Sequence, residues 1–163
     1  MDTARKLEYD KTYMRMADVL AQLSHAKRSK VGCLIVSEDG QIVSQGYNGM
    51  PHGMDNCCEI IECSTDFCKC IEKTKCDKNC IYAKIVTKPE VLHAESNAIS
   101  KCAKWNSSTD GATCYVTLSP CVECAKLMIQ SGIKRVCYKD LYRDINGIKL
   151  LSQAGIKVEK IEI

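Results

Sequence analysis

The sequence predicts an α/β fold in which helices cover both faces of a mixed sheet of roughly five strands, a three-layer α/β/α sandwich. Two observations predict this class. A helical pattern precedes a β-hairpin pattern near the start of the chain, and helices then alternate with short buried strands. The length of 163 residues and the hydrophobic fraction of 45% suit one domain with a real core. We therefore expect a single domain over residues 1–163.

The first elements are a helix and a hairpin. Apolar residues at helical spacing predict an amphipathic helix over residues 10–25. The apolar run 31–36 predicts a buried strand, and residues 41–47 predict the strand that returns beside it. Asp39 and Gly40 between the two runs are a hairpin turn signal, so the pair is expected to be antiparallel.

The later elements alternate regularly. Gly132 and Gly155 each follow a helical pattern, and glycine is a usual residue just beyond a helix end. Because strands joined through helices commonly run in the same direction, the later strands are expected to be mainly parallel. The predicted helices cover residues 93–105, 121–131 and 144–154, and the predicted strands cover residues 112–118, 134–138 and 156–163.

A cysteine-rich insertion interrupts this pattern at residues 52–89. Its apolar residues are too few and too irregular to build a core of their own. A second, structural zinc ion would supply the missing folding free energy, and free thiols or disulfides formed after purification are the alternatives. The candidate ligands are the cysteines of the segment: Cys57, Cys58, Cys63, Cys68, Cys70, Cys76 and Cys80.

Charge and hydropathy exclude several classes of protein. Residues 1–10 are polar and cannot form the apolar core of a secretory signal. No apolar run approaches the roughly 20 residues that a membrane-spanning helix needs. We therefore expect a cytoplasmic protein with no membrane partner, in which the 13 cysteines indicate metal-binding thiolates rather than disulfides. The net charge of +3 gives no reason to expect a nucleic-acid partner.

Two short motifs contain the residues suited to catalysis. His93 and Glu95 stand in the first, and Cys121 and Cys124 stand in the second, directly after Pro120. One imidazole and two thiolates form a soft set of three ligands that suits zinc and leaves a fourth coordination position for water. We therefore predict a zinc site formed by His93, Cys121 and Cys124. A lone Cys-x-x-Cys pair is also typical of structural zinc sites and redox sites, which are the alternatives.

The zinc site is expected between the N-termini of two helices. Ser119 is a favoured N-cap residue and Pro120 a favoured first helical residue. This start would place Cys121 and Cys124 on one face of the first helical turn, where the helix N-terminus lowers thiol pKa values. His93 must also lie at a helix start, because residues two apart within a helix point away from each other.

Glu95 is predicted to move the proton. Zinc makes a hydroxide nucleophile near neutral pH. Hydrolysis by such a nucleophile also needs a group that takes the proton of the water and returns it to the group that leaves, and Glu95 can do so without being a ligand. The order His-x-Glu followed by Pro-Cys-x-x-Cys is the signature of zinc-dependent nucleobase deaminases.

The sequence resembles the deoxycytidylate (dCMP) deaminases of the zinc-dependent cytidine deaminase superfamily. The matching stretches are residues 30–36, 46–51, 93–95 and 115–121, and the resemblance covers most of the chain outside the insertion. The metal motif identifies only the superfamily, whereas the Gly-Tyr-Asn-Gly-Met-Pro stretch narrows the match to nucleotide deaminases. The resemblance implies a cytidine deaminase-like fold, one catalytic zinc ion, and hydrolysis of dCMP to dUMP with release of ammonia.

Residue roles in substrate binding are implied by the same resemblance. Asn48 would bond the deoxyribose, and Arg28 and Lys30 would hold the 5′-phosphate. Ser119 is a further candidate for substrate binding. Tyr142, in a loop after a predicted strand, is a candidate for stacking on the base or sugar. The alternatives are that Asn48 only forms a turn and that the basic residues only neutralise a helix C-terminus.

The resemblance also implies an allosteric homo-oligomer. Members of the family are commonly homohexamers activated by dCTP and inhibited by dTTP, and the activator would bind near the loop that contains Gly46, Tyr47, Gly49 and Met50. Three other functions stay open: a broader deaminase that accepts dCTP or CMP, a tRNA adenosine deaminase, and a non-catalytic zinc-bound interaction module. One Trp, one Phe and the small net charge disfavour RNA as substrate.

Overall fold

The computed structural model of the chain describes residues 3–63 and 83–163. The helices are α1 (Thr3–Ala21), α2 (Ala94–Lys104), α3 (Val122–Gln130) and α4 (Asn146–Gln153). The strands are β1 (Gly32–Val36), β2 (Ile42–Tyr47), β3 (Glu59–Cys63), β4 (Ala83–Thr87), β5 (Thr113–Leu118), β6 (Arg135–Asp140) and β7 (Lys157–Lys160). Within these residues, no helix combines the length and the apolar character needed to cross a membrane.

Five strands form one mixed sheet in the order β2-β1-β5-β6-β7. β1 pairs antiparallel with β2 on one side and with β5 on the other, whereas β6 runs parallel to both β5 and β7. The predicted antiparallel hairpin and the predicted parallel second half are both confirmed. Gly40 adopts φ +83° in the turn between β1 and β2, a backbone conformation that glycine tolerates better than other residues.

The sheet carries helices on both faces, because successive strand residues point in opposite directions. On β1, Leu34 packs towards α1 with Met14 and Ala17, whereas Cys33 and Ile35 pack towards the other three helices. The side chains that α2, α3 and α4 bury against this second face include Ala94, Ala98, Ala125, Met128 and Leu151. The three-layer α/β/α sandwich is therefore confirmed.

α1 lies nearer the start of the chain than the predicted residues 10–25. Asp10 marks the predicted start, but it lies within the helix with 4% of its surface exposed, and Arg135 bonds its carboxylate there. Beyond the helix end, the Ser24 hydroxyl donates a hydrogen bond to the Asn48 carbonyl oxygen at 2.8 Å, which holds the chain in a non-helical path. Both boundaries thus depend on tertiary contacts that hydrophobic spacing does not report.

The predicted insertion contains regular structure that the sequence did not predict. β3 and β4 pair antiparallel as a separate two-stranded sheet. Glu59 lies opposite Thr87 at one end of this hairpin, and Cys63 lies opposite Ala83 at the other. Neither strand has the strict alternation of apolar and polar residues that signals a half-buried strand, which explains why the pattern did not predict them.

The cysteines of this segment are only partly described. Cys57 is exposed, whereas Cys58 and Cys63 are buried. Cys58 packs in a small apolar cluster with Ala26 and Val91. A second zinc ion and an insertion over residues 52–89 remain predictions. The other four cysteines lie outside the described residues: Cys68, Cys70, Cys76 and Cys80.

A partly buried cluster of charged side chains connects α1 to the strands β5, β6 and β7. The Arg135 guanidinium on β6 donates two hydrogen bonds to the Asp10 carboxylate, each 2.7 Å long, and a third to Glu159 on β7. The Tyr115 hydroxyl on β5 donates to Asp10 at 2.6 Å. Burial acts to raise the pKa of Asp10, but the hydrogen bonds from Arg135 and Tyr115 outweigh it and leave the pKa below its ordinary value. Asp10 therefore stabilises the fold as a carboxylate.

We expect Asp10→Asn to destabilise the fold by about 2 kcal/mol at neutral pH, because it removes one of the two carboxylates that pair with the partly buried Arg135. Asp18→Asn is the matched control. Asp18 pairs with Lys139 at a partly exposed position on the same helix, so its replacement should cost less than about 1 kcal/mol. The free energy of unfolding from urea denaturation measures both effects.

The stability difference between the wild type and Asp10→Asn should also depend on pH. Because the pKa of Asp10 is lowered in the fold, its stabilisation is complete above the pKa of the unfolded chain and is lost as the pH falls through the folded value. The stability difference between the wild type and Asp10→Asn should therefore shrink in acid. A difference that stays constant through the acid range would contradict a stabilising carboxylate at this position.

Candidate active site

Three residues at the N-termini of two helices converge. His93 is the N-cap of α2 and Cys121 is the N-cap of α3, both with extended backbone conformations. Cys124 follows in the first turn of α3. The Nδ1 atom of His93 lies 3.5 Å from the Cys121 sulfur and 3.3 Å from the Cys124 sulfur, and all three atoms lie within 4.8 Å of one another. One nitrogen and two sulfur atoms form the kind of ligand set that zinc prefers.

The helix that carries the two cysteines begins later than predicted. α3 begins at Val122 with Cys121 as its N-cap, so the predicted start at Ser119 and Pro120 is wrong. The Ser119 N–H instead continues the pairing with β6, at 2.8 Å. The Ser119 hydroxyl accepts a hydrogen bond from the Tyr142 N–H at 2.7 Å. Sheet pairing therefore extends past the end of β5 and delays the helix, while Ser119 fixes the loop that carries Tyr142.

Two glycines allow the close packing that sets the positions of these helices. A Cβ atom on Gly46 of β2 would overlap the Ala94 carbonyl oxygen in the first turn of α2. A Cβ atom on Gly147 of α4 would overlap the Pro120 carbonyl oxygen and lie 2.8 Å from the carbonyl carbon of Cys121. β2 thus packs directly on the start of α2, and α4 packs directly on the chain that leads into α3. The role of Gly147 was not predicted, although a glycine inside a helical pattern was a usable signal.

The protonation of the three groups suits a divalent cation. The pKa of Cys121 is lowered, first by the hydrogen bond that the Cys124 thiol donates and then by His93. The pKa of Cys124 is raised by the same hydrogen bond and by burial, and the pKa of His93 is raised by its hydrogen bond with Cys121. One thiolate is therefore already favoured, and a bound zinc ion would displace the remaining protons. The donor set thus fits zinc.

Glu95 lies in the first turn of α2, close to the three ligand atoms but outside their group. It is buried, with 4% of its surface exposed. Burial raises the pKa of the Glu95 carboxyl group above its ordinary value, although the charge of His93 acts in the opposite direction. A carboxyl group whose pKa is raised towards neutrality is suited both to accept and to return a proton at physiological pH.

A pocket of about 290 Å³ has Glu95 and two of the three metal-ligand residues in its wall. His93, Glu95 and Cys121 all line it. This volume lies at the lower end of the range of roughly 300–1,000 Å³ for ligand pockets, so the space suits one small molecule. The polar wall residues contributed by other parts of the chain include Arg28, Asn48, Thr87, Tyr142 and Arg143.

Asn48 lines the pocket while its side-chain amide holds the preceding loop. Its Oδ1 accepts a hydrogen bond from the Val31 N–H, and its Nδ2 donates one to the Ser29 carbonyl oxygen, each at 2.8 Å. A side-chain amide offers two donors and two acceptor lone pairs, and these bonds use one of each. Asn48 is therefore more than a turn residue, because it attaches the loop between α1 and β1 to the pocket wall.

The structure separates the two predicted phosphate-binding residues. Arg28 lines the pocket, whereas Lys30 lines an open groove beside it. Both lie in the loop after α1, which ends at Ala21, so the alternative of a cationic helix C-terminus is wrong. Of the two residues, only Arg28 reaches the pocket in the part of the chain that the structure describes.

The pocket wall includes Arg143 and Thr87, which the sequence analysis did not predict as site residues. Arg143 follows Tyr142 in the loop between β6 and α4, with its guanidinium carbon 5.8 Å from the centre of the Tyr142 ring. Arg143 could have been predicted as a binding residue from its position in the loop after a predicted parallel strand, because such loops often carry binding residues. Thr87 reaches the pocket from β4, and no signal pointed to it because that strand was itself not predicted.

The predicted allosteric loop lies against α2 and the residues before it. Gly46 and Tyr47 belong to β2, and the Tyr47 carbonyl oxygen accepts a hydrogen bond from the Asn97 side chain of α2 at 2.8 Å. Gly49 exchanges two backbone hydrogen bonds with Leu92, and Met50 packs against a small apolar cluster. None of the four residues is in the pocket wall as far as the chain is described. Their role in regulation remains a prediction.

Comparison with known proteins agrees with this geometry. Residues 7–140 match the family model described as the cytidine and deoxycytidylate deaminase zinc-binding region. The deoxycytidylate deaminase of Pongo abelii is 41% identical over 160 residues, which cover 94% of this chain and 80% of that protein. The deoxycytidylate deaminase of Enterobacteria phage T4 is 36% identical over 170 residues, which cover 90% of this chain and 86% of that protein.

A solved structure is similar over nearly the whole chain. The crystal structure of the dCMP deaminase from the cyanophage S-TIM5, in complex with dCMP and dUMP, matches with a TM-score of 0.76. The two sequences are 38% identical, and the match covers 98% of each chain. The similarity therefore concerns sequence and fold together, and it includes the strands and helices that carry His93, Glu95 and Cys121.

We expect Gly147→Ala to weaken zinc binding and to destabilise the fold by about 1–3 kcal/mol, the usual cost of forcing extra atoms into filled space. The added methyl group would push the chain that carries Cys121 away from α4. Gly49→Ala is the matched control, because a Cβ atom there meets nothing within 4 Å. Competition with a chelator measures zinc affinity, and thermal denaturation measures stability. Equal zinc affinity in the two variants would contradict a role of Gly147 in placing Cys121.

Proposed function

Since the chain belongs to the cytidine and deoxycytidylate deaminase family, we propose that it is a zinc-dependent deaminase that hydrolyses dCMP to dUMP and ammonia. One observation carries the proposal: the buried Glu95 lines the same pocket as His93 and Cys121 of the metal-ligand group. A ligand set alone also occurs in structural zinc sites. A buried acid beside it in an accessible pocket is what hydrolysis requires.

We assign His93, Cys121 and Cys124 as the ligands of one catalytic zinc ion. The pocket wall includes two of the three residues, which suits a catalytic site with an open coordination position better than a closed structural site. When bound, zinc polarises a water molecule and makes it nucleophilic near neutral pH. The protein holds the ligands at two helix N-termini, where the positive ends of the helix dipoles favour the two thiolates.

Glu95 carries the protons in the proposed reaction. It accepts a proton as the water oxygen bonds to C4 of cytosine, and it donates that proton to ring nitrogen N3. It then takes the proton of the hydroxyl group on C4 and gives it to the amino group, which leaves as ammonia while C4 keeps its oxygen as a carbonyl. Burial supports this cycle, because a desolvated carboxyl group binds and releases a proton closer to neutral pH.

Two arginines are proposed to bind the 5′-phosphate. Arg28 and Arg143 both line the pocket, although they lie in loops far apart in the chain. A guanidinium group binds phosphate through two parallel N–H donors, which gives both strength and orientation. Lys30, in the adjoining groove, would act on the phosphate only at longer range.

The remaining pocket residues are proposed to hold the nucleoside. The second amide N–H of Asn48 would donate to the deoxyribose, because its first N–H is used by Ser29. Tyr142 would stack on the base or sugar. Ser119 would act through the loop, since its hydroxyl binds the backbone N–H of Tyr142.

Regulation and assembly form the finer part of the proposal. We propose activation by dCTP and inhibition by dTTP through residues 46–50, within a homohexamer located in the cytoplasm. The backbone bonds between Gly49 and Leu92 support a link to the site, because Leu92 directly precedes His93. The domain would span residues 1–163, and a second zinc ion would stabilise the insertion at residues 52–89.

We expect Glu95→Gln to lower kcat for dCMP by at least about 100-fold while zinc content stays unchanged, because glutamine cannot carry the proton. Cys124→Ser is the contrasting variant: it removes a ligand, so zinc and activity should be lost together. Ammonia release and metal analysis of the purified proteins measure the two properties. Wild-type turnover by zinc-loaded Glu95→Gln would contradict the catalytic role and would favour a non-catalytic zinc-bound module.

We expect kcat/KM for dCMP to exceed that for deoxycytidine by about 100-fold, because charge-assisted hydrogen bonds to a phosphate are each worth about 1.5–3 kcal/mol. Ammonia release from dCMP, CMP, deoxycytidine and dCTP measures this preference on the zinc-loaded enzyme. Equal use of CMP or dCTP would broaden the substrate class. No turnover of any of the four would contradict the proposed substrate. Added dCTP should raise the rate at low dCMP, and added dTTP should lower it.

A further inference from the structure

The β3–β4 hairpin contacts the loop that carries Arg28. Glu59 at the start of β3 and Thr87 at the end of β4 are cross-strand partners. Side chains of directly opposite residues lie on the same face of a sheet. Both of these side chains accept hydrogen bonds from residues 27–28, which precede β1 and β2 in the chain. One end of the hairpin therefore makes two separate contacts with the same short stretch of loop.

Glu59 holds the backbone of this loop. Its Oε1 accepts a hydrogen bond from the Lys27 N–H at 2.7 Å and another from the Arg28 N–H at 3.2 Å. Two adjacent backbone N–H groups thus share one carboxylate oxygen as their acceptor. The direction in which the Arg28 side chain leaves the backbone therefore depends on the Glu59 acceptor.

Thr87 holds the side chain of the same arginine. The Nη1 atom of Arg28 donates a hydrogen bond to the Oγ1 atom of Thr87 at 3.1 Å, and both residues line the pocket. Arg28 is otherwise an exposed side chain with many rotamers available. A guanidinium group has five N–H donors, so this bond leaves others for a ligand. An arginine held in place before the ligand arrives loses less conformational entropy on binding.

We propose that Glu59 and Thr87 are positioning residues that set the affinity of the pocket for the 5′-phosphate by holding Arg28. The inference rests on the proposed function, in which Arg28 binds that phosphate. Glu59 fixes the backbone and Thr87 fixes the guanidinium group, so the two contacts act on the two ends of one residue. The hairpin within the predicted insertion is then part of the substrate site.

Thr87→Val tests the second contact, because it removes the hydroxyl acceptor and keeps the shape of the side chain. The KM for dCMP should rise about fivefold, the effect of losing one solvent-exposed hydrogen bond, while kcat stays unchanged. The KM for deoxycytidine should not change, because that substrate has no phosphate. Thr87→Ser keeps the hydroxyl group and should restore the KM for dCMP. Val86→Thr, on the opposite face of the hairpin, is the matched control and should behave as wild type.

Glu59→Ala and Glu59→Gln test the first contact. Alanine leaves the two N–H groups without their acceptor, so the KM for dCMP should rise about tenfold. Glutamine keeps an acceptor oxygen and removes a negative charge near the bound phosphate, so the KM for dCMP should stay at or below the wild-type value. An equal rise in both variants would overturn the inference, because it would show that the charge of Glu59 matters rather than its hydrogen bonds.

Arg28→Ala separates this inference from the proposed function. An unchanged KM for dCMP in Arg28→Ala would contradict the phosphate assignment itself. A raised KM in Arg28→Ala together with wild-type values in Thr87→Val and Glu59→Ala would overturn the positioning role alone. In the Arg28→Ala background, Thr87→Val should add no further rise. An additive rise would show that Thr87 contacts the substrate itself, which would also overturn the inference. Zinc content and thermal denaturation verify that each variant is folded.

Discussion

The metal-ligand group depends on two helix N-termini lying side by side. His93 and Cys121 are 28 residues apart in the chain, yet their side chains are in contact because α2 and α3 pack on the same face of the sheet. Gly46 allows β2 to pack directly on the start of α2, and Gly147 allows α4 to pack directly on the chain before α3. Backbone packing therefore sets where the ligands stand, and the short side chains of cysteine and histidine leave little freedom to compensate for a shift.

The two faces of the sheet differ in the residues that they carry: one carries an ion pair with α1, and the other carries the helices of the site. On the face towards α1, the carboxylate of Asp10 and the guanidinium of Arg135 join the first helix to the last strands. On the other face, α2 and α3 present the metal ligands and Glu95. Two neighbouring residues of β5 face opposite sides of the sheet. Tyr115 donates a hydrogen bond to Asp10 on the first face, and Val116 packs in the core beneath α2 and α3 on the second. β5 thus contributes side chains to both faces of the sheet.

The pocket combines rigid and loop-borne parts. The proposed catalytic groups stand at helix starts, where the sheet supports them, and the proposed nucleotide-binding groups stand on loops. Arg28 comes from the loop before β1, and Arg143 comes from the loop before α4. The β3–β4 hairpin holds the first of these loops through hydrogen bonds to Glu59 and Thr87. Such a division places the proposed bond-breaking chemistry at helix starts on the sheet and leaves the proposed recognition of the nucleotide to loops.

From the sequence alone, the fold class, the order of the main elements and the residues of the ligand motif could be predicted, because periodicity, turn residues and metal-ligand chemistry are local properties. The starts of α1 and α3 could not be predicted in this way, because they depend on the hydrogen bonds of Asp10 with a distant strand and of Ser119 with a neighbouring one. The tertiary structure also places Arg28 rather than Lys30 in the pocket wall, with Thr87 beside it. These outcomes depend on contacts between segments far apart in the chain, whose energies no local pattern records.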